Sequence, residues 1–134
     1  METSKSTQLK LREINSDNIV AVILFFLDCE EFTSDPAKIH GGFEQLKQKG
    51  VNRKLLKEFL FVRRFPSSYS PLLERVLQRL CECRLLAFSG DLTNYRLDAK
   101  ARKSIQDGIL PKLNEEQQVI LRAMALELNE FFRS

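Results

Sequence analysis

The chain has 134 residues, of which 43% are hydrophobic and 29% are charged, a composition typical of one globular domain with a single core. The net charge of +3 does not by itself require an anionic partner, and the longest apolar run, Ile19 to Leu27, is about half the length that spans a bilayer. The polar start METSKSTQLKLRE and the odd number of cysteines argue against a secreted, disulfide-bonded protein, so we expect a cytoplasmic protein without a membrane segment.

The positive charge is concentrated in the middle of the chain. Residues 43–84 contain ten basic and four acidic side chains, whereas residues 1–42 have a net charge of −3 and residues 85–134 a net charge of zero. A local basic excess of this kind is typical of a surface that faces phosphate groups. The alternative is a solvated surface on which several of these bases pair with Glu44 and Glu58.

The first part of the chain predicts an arm and a buried helix. Residues 1–13 are expected to form a flexible arm that precedes a single domain, residues 14–134. Three consecutive polar side chains, starting at Asn15, can cap a helix over about 17–32, which is apolar on nearly every side. Its β-branched residues would also suit a central strand, but the cap and the length favour a helix.

Two further helices are predicted before the middle of the chain. Pro36 suits the first turn of a helix over 36–49. The Gly-Gly pair inside this helix disfavours it and indicates either a break or a close helix crossing. Asn52 would cap a third helix over about 53–64, which a Phe-Pro pair would end.

The most informative stretch is PSSYSPLLERVLQRLCECRLLAFSGDLTNYRL, residues 66–97. A Ser-Pro pair starts an amphipathic helix over about 70–83. An apolar strand from Arg84 to Phe88, a polar turn and a return strand from Tyr95 to Leu97 follow. This order predicts a winged helix-turn-helix, in which the helix enters a DNA groove or docks on a protein and the hairpin forms the wing.

Two helices are predicted after the hairpin. Asp98 would cap a short helix that ends near Gly108, and Asn114 begins a capping-box pattern for a helix over about 115–132. This last helix is apolar on more than one stripe, so it is either enclosed by the core or used as a seam with a partner; we favour the seam. The seam residues would be Leu121, Met124, Leu128, Phe131 and Phe132.

The predicted binding surface lies on the helix over 70–83 and in the basic segment before it. Arg and Gln can form bidentate contacts with base edges, and Ser and Tyr can bind phosphate. The wing tip, Asp91 to Asn94, is not basic, which argues for a protein partner over DNA. The candidate residues for nucleic-acid or partner binding are Ser68, Tyr69, Arg75, Gln78, Arg79, Lys54, Lys57, Arg63 and Arg64.

The sequence contains no recognisable catalytic, cofactor or metal motif. Cys81 and Cys83 have the wrong spacing for structural zinc and point to different sides of a helix, so the cysteines are expected to pack. His40, the sole histidine, has no Ser or Cys partner at a recognisable spacing, and a phosphate-binding GxxxxGK[ST] loop is absent. We therefore expect a non-enzymatic protein with no cofactor, metal or small-molecule substrate.

Residues 17–109 resemble small prokaryotic winged-helix proteins. The resemblance is carried by KIHGGFEQLKQKG, by RFPSSYSPLLERVLQRLCECRLL and by NYRLDAKARKSI. The order is similar to the Panacea-type antitoxin domain and to the small middle components that accompany SMC-like ATPases in three-component antiphage systems. The residue patterns predict a mainly α (α+β) fold, a winged helix-turn-helix with additional N- and C-terminal helices. The resemblance implies a non-enzymatic binding role.

Two functions are consistent with these patterns. The first is an accessory subunit of prokaryotic antiviral defence that docks on a larger ATPase or effector complex, with double-stranded DNA as a further contact. The alternative is a free-standing, dimeric DNA-binding transcriptional regulator or antitoxin. The weakly acidic wing favours the first function.

Overall fold

Six α-helices form most of the computed structural model, which describes residues 14–64 and 67–133. The helices are α1 (Ser16–Phe26), α2 (Pro36–Lys47), α3 (Gly50–Arg53), α4 (Pro71–Glu82), α5 (Ala99–Gly108) and α6 (Glu115–Arg133), with a 3-10 turn at Leu110–Lys112. The strands are β1 (Glu31–Thr33), β2 (Val62–Arg64), β3 (Ser67–Tyr69), β4 (Ala87–Phe88) and β5 (Asn94–Arg96). The predicted mainly helical α+β class is confirmed. The predicted arm over 1–13 and the predicted helix stop at Phe65-Pro66 lie outside the described residues.

Helix α1 forms the centre of the domain, but it is shorter than predicted. Asn15 caps it through an Oδ1 atom that accepts from the backbone N–H of Asn18 at 2.8 Å. The helix ends because Asp28 adopts a left-handed backbone with φ 55°, which turns the chain out of the helix. The prediction of helix up to residue 32 is therefore wrong, and Glu31–Thr33 forms strand β1 instead.

The predicted hairpin is present and belongs to a three-stranded antiparallel sheet with the order β1-β5-β4. Tyr95 of β5 lies opposite Phe32 of β1 and Phe88 of β4, so three aromatic rings form a row across the sheet. The first hairpin strand begins later than predicted because Arg84, with φ 66°, terminates α4 in a left-handed conformation. The third strand, β1, was not predicted.

The prediction of a third helix over 53–64 is wrong. Only the single turn α3 forms, and the chain then enters the antiparallel β2–β3 hairpin, in which Val62 pairs with Tyr69. Asn52 does not cap a helix, because its buried Nδ2 donates to the Leu46 carbonyl at 2.8 Å. Leu60 and Val62, which a helix would turn inward, are 68% and 47% exposed.

The predicted partner seam on the last helix is also wrong for its central residues. Leu121, Met124 and Leu128 have no exposed surface, because α6 packs against α1 and α2 within the same chain. The flanking Phe131 and Phe132 are half-buried, and the Phe132 ring stacks parallel to Phe32 with centroids 6.5 Å apart. The several apolar stripes of α6 thus reflect enclosure by its own domain.

The Gly-Gly pair of α2 lies where α6 crosses it closely. Helix α2 continues without a break through both glycines. A Cβ atom at Gly42 would lie 2.5 Å from Cδ1 of Leu128 and 3.2 Å from Cδ2 of Phe131, whereas one at Gly41 would make an ordinary contact of 3.4 Å with Phe131. The close-crossing interpretation is confirmed, and Gly42 is the residue that permits it.

Candidate docking site

The outer face of α4 is the first part of the site. Ser70 caps the helix by accepting from the Leu73 N–H at 3.1 Å, and Pro71 occupies its first turn. The inner face buries Leu73, Val76, Leu77 and Leu80. The side chains of Arg75 and Gln78 are exposed and form no hydrogen bond or ion pair within the described residues, so both remain available to a partner.

Arg79 does not belong to this available face. Its Nε and Nη2 atoms donate to the two carboxylate oxygens of Asp17 at 2.8 and 2.7 Å. This bidentate pair joins α4 to the first turn of α1. The pair occupies Nε and Nη2 and holds the Arg79 side chain against α1, so Arg79 is less available to a partner than Arg75, and its predicted contact with base edges stays a prediction.

A buried histidine supports the start of α4. His40 of α2 is 1% exposed, and its Nδ1 accepts from the Ser70 N–H at 3.0 Å. The neutral ring therefore carries its proton on Nε2, which donates to Glu74 Oε1 at 3.3 Å. Burial lowers the pKa of His40, while Glu74 acts in the opposite direction. His40 thus holds α4 in place as a neutral side chain.

Ser68 and Tyr69 also contact helix α2, next to the contact of His40 with the start of α4. Ser68 is 7% exposed, and its Oγ donates to Glu44 Oε1 at 2.5 Å. The Tyr69 ring is half-buried and stacks on His40 with a centroid distance of 4.8 Å and an angle of 17°. The prediction that Ser68 binds a phosphate is wrong, because the β2–β3 hairpin turns this residue inward.

The predicted basic residues form an exposed group around α3 and β2. Lys54, Lys57 and Arg63 are exposed and form no ion pair within residues 14–64 and 67–133. The alternative in which they pair with Glu44 and Glu58 is therefore absent from this part of the chain. Arg64 lies in β2, and its side chain is outside the described part of the structure.

The hairpin tip carries a negative charge and is cross-linked by several hydrogen bonds. Asp91 Oδ1 accepts from Ser89 Oγ at 2.7 Å, from Thr93 Oγ1 at 2.8 Å and from the Thr93 N–H at 3.2 Å. These hydrogen bonds lower the pKa of Asp91 to about 2, so the carboxylate stays charged at neutral pH. Ser34 adds two bonds of 3.2 Å, from its N–H to the Thr93 carbonyl and from its Oγ to the Leu92 carbonyl.

An open groove lies between this tip, the start of α2 and the first turn of α4. Its volume is about 570 Å³. The lining includes the apolar side chains of Ile39, Phe88, Leu92 and Tyr95 and the carboxylates of Asp35 and Glu74. Sequence reasoning missed this groove, although Leu92 next to Asp91 in the predicted turn was a signal for it.

The cysteines differ in their exposure. Cys29 and Cys81 are half-buried, and burial raises the pKa of both thiols. Cys83 at the end of α4 is exposed, which corrects the expectation that all three pack. Within residues 14–64 and 67–133, no three His, Cys, Asp or Glu side chains gather as a metal site requires.

Comparison with known proteins identifies no relative of the chain. No protein-family model, curated protein or solved structure matches it. Across the described ranges, no helix is both long and apolar enough to pass through a bilayer. The proposed function is therefore based on the geometry of the outer α4 face, the hairpin tip and the groove.

Proposed function

We propose that the chain is a non-enzymatic winged-helix subunit that docks on a larger protein through the outer face of α4 and the β4–β5 hairpin. Support comes from the topology: α1, β1, α2 and α4 precede the hairpin, and the hairpin joins β1 in one sheet. In this interpretation α4 is the recognition helix and β4–β5 is the wing. The β2–β3 hairpin is an insertion before the recognition helix.

The observation that carries the proposal is the chemistry of the wing tip. A wing that contacts DNA needs basic side chains opposite the phosphates. Here the tip combines the Asp91 carboxylate, which is charged at neutral pH, with Leu92, which is 68% exposed. Phosphates would be repelled by this tip, whereas a protein surface can bury its leucine. The resemblance to middle components of antiphage systems supplies the proposed partner class, an SMC-like ATPase or its effector.

Photocrosslinking in the native cell tests this proposal. The photoreactive residue benzoylphenylalanine replaces Gln78 on α4 or, as a control, Lys103 on the exposed side of α5. We expect one protein adduct from position 78 that is absent from position 103. An adduct with DNA alone, or the same adduct from both positions, contradicts docking through α4.

A DNA-binding regulator is the second candidate, and the basic residues favour it. Lys54, Lys57, Arg63 and Arg75 are exposed and lack acidic partners in the described ranges. If these four neutralise phosphates, the slope of log affinity against log salt is about −3.6. Fluorescence anisotropy with duplex DNA measures this slope, and Arg75→Ala should reduce its magnitude by about one. The docking proposal instead predicts only weak, sequence-independent binding.

A further inference from the structure

We propose that the groove between the β4–β5 hairpin, α2 and α4 binds a partner segment that presents an Arg or Lys side chain next to an apolar one. This inference rests on the proposed docking function and specifies its chemistry. The groove is open to solvent, and its volume of about 570 Å³ accommodates a few side chains.

The charge of the groove defines one half of the occupant. Asp35 and Glu74 line it, and no basic residue is among the described residues that do so. Glu74 Oε1 accepts from His40, and the Glu74 side chain remains 35% exposed. Asp35 uses Oδ1 to cap α2 and is exposed. Two carboxylates beside an apolar surface are complementary to a guanidinium or ammonium group.

Leu92 defines the apolar half. Its side chain is 68% exposed, and its backbone is left-handed with φ 64°. A leucine is unfavourable in this conformation, where Gly or Asn is the usual residue. Because the exposed side chain contributes little to the core, its presence at a strained position indicates a binding role. Phe88, 49% exposed, extends the same apolar surface.

The groove is also pre-formed. The two Ser34 bonds attach the hairpin tip to the start of α2, and the three Asp91 bonds fix the turn internally. The register of Phe88 opposite Tyr95 fixes the other wall. A partner segment therefore binds without first ordering the tip, which lowers the entropic cost of binding.

Selection from a random 12-residue peptide phage library tests the inference. We expect the wild-type protein to enrich peptides with Arg or Lys beside Leu, Ile or Phe. The fluorescein-labelled consensus peptide then serves as the probe in fluorescence polarisation. We expect Glu74→Gln and Leu92→Asn each to weaken binding by about tenfold. Both variants preserve the local structure, because Gln can still accept from His40 and Asn tolerates a positive φ.

Matched controls lie outside the groove. Leu126, 63% exposed on α6, is changed to Asn, and the exposed Glu130 is changed to Gln; neither should alter binding. Three outcomes overturn the inference. The selected peptides are acidic, the Leu92→Asn and Leu126→Asn variants bind the consensus peptide equally well, or the library yields no specific binder. Self-association of the wild type that Leu92→Asn abolishes would identify a second copy as the occupant and also overturn it.

The outcomes separate this inference from the docking function on which it rests. If Gln78→Glu abolishes peptide binding while Leu92→Asn does not, docking on α4 stands and the groove is not the site. If no peptide binds and duplex DNA contacts α4 in the crosslinking experiment, both the docking function and the groove are wrong.

Discussion

At the scale of single residues, the amino acid required at a few positions is set by contacts with residues that are distant in the sequence. Gly42 is needed because α6 approaches α2 at that point, and His40 is needed because Ser70 directs an N–H toward it. Neither role follows from neighbours in the sequence. Each therefore supports a prediction that tests a tertiary contact.

Gly42→Ala should leave the protein less stable than Gly41→Ala. Alanine favours a helix over glycine by about 1 kcal/mol at either position. At Gly42 the added methyl would lie 2.5 Å from Leu128, and overpacking of this kind costs roughly 1–3 kcal/mol. Urea denaturation should show a lower free energy of unfolding for Gly42→Ala and an equal or higher one for Gly41→Ala. Equal values would contradict the close crossing.

His40 should make the free energy of unfolding depend on pH. Burial lowers the folded-state pKa of His40 below its ordinary value of 6.5. The neutral ring therefore contributes full stability above pH 6.5, and the contribution is lost as pH falls from 6.5 toward the lowered folded pKa. Because His40 is the sole histidine, an NMR titration of its ring gives the folded pKa without ambiguity. A value at or above 6.5 would contradict the buried neutral arrangement.

At the scale of elements, α4 is the structural link between the core and the proposed docking surface. Its inner leucines and Val76 are buried, Arg79 ties it to α1, and its capped start rests on His40. Arg75 and Gln78 are left outside. The two arginines on this helix therefore have separable roles.

Arg79→Ala and Arg75→Ala should separate stability from binding. Loss of the half-exposed Arg79–Asp17 pair should lower the free energy of unfolding modestly, because solvent screens the pair but it joins two helices. Arg75 has no partner in the described residues, so its removal should change stability by less than about 0.5 kcal/mol while weakening partner binding. Chemical denaturation and the yield of the protein adduct formed from position 78 give both values. The reverse assignment would place Arg79 at the interface.

The same elements show which features the sequence could predict. Helices α4, α5 and α6 were predictable because each carries its own cap and periodic apolar residues, as Ser70 and Asp98 illustrate. Strands β1, β2 and β3 have three residues each, too few for a recognisable alternation. Strands β4 and β5 are equally short, but the polar turn between them marks a hairpin in the sequence. Phe32 forms a strand because Tyr95 lies opposite it, and this partner is remote in the chain.

At the scale of the whole molecule, α6 completes the core. It contacts α1, α2 and α3, and its buried side chains close the hydrophobic centre. The sequence pattern of α6 left two alternatives, enclosure or a partner seam, because periodicity records which side chains avoid water and does not record what covers them. Likewise, the outer α4 residues were predictable as candidates, but the inward turn of Ser68 and the groove beside Leu92 depend on tertiary packing.

Leu128→Ala and Leu126→Ala test the enclosure of α6. Leu128 has no exposed surface, and a buried Leu→Ala change costs roughly 2–5 kcal/mol. Leu126 is 63% exposed, so its truncation should change the free energy of unfolding by less than about 0.5 kcal/mol. Denaturation of both variants at two protein concentrations checks the values. A denaturation midpoint that depends on protein concentration would instead indicate that α6 forms a seam with a second copy.

The exposure of Cys83 at the end of α4 has a practical consequence. Its thiol is accessible, whereas the other two are half-buried with raised pKa values, and thiolate content governs alkylation rates. A maleimide dye should therefore attach first at Cys83, close to the face where a partner is expected. The native sequence thus provides its own fluorescent reporter position, and complex formation can be followed without engineering a new attachment point.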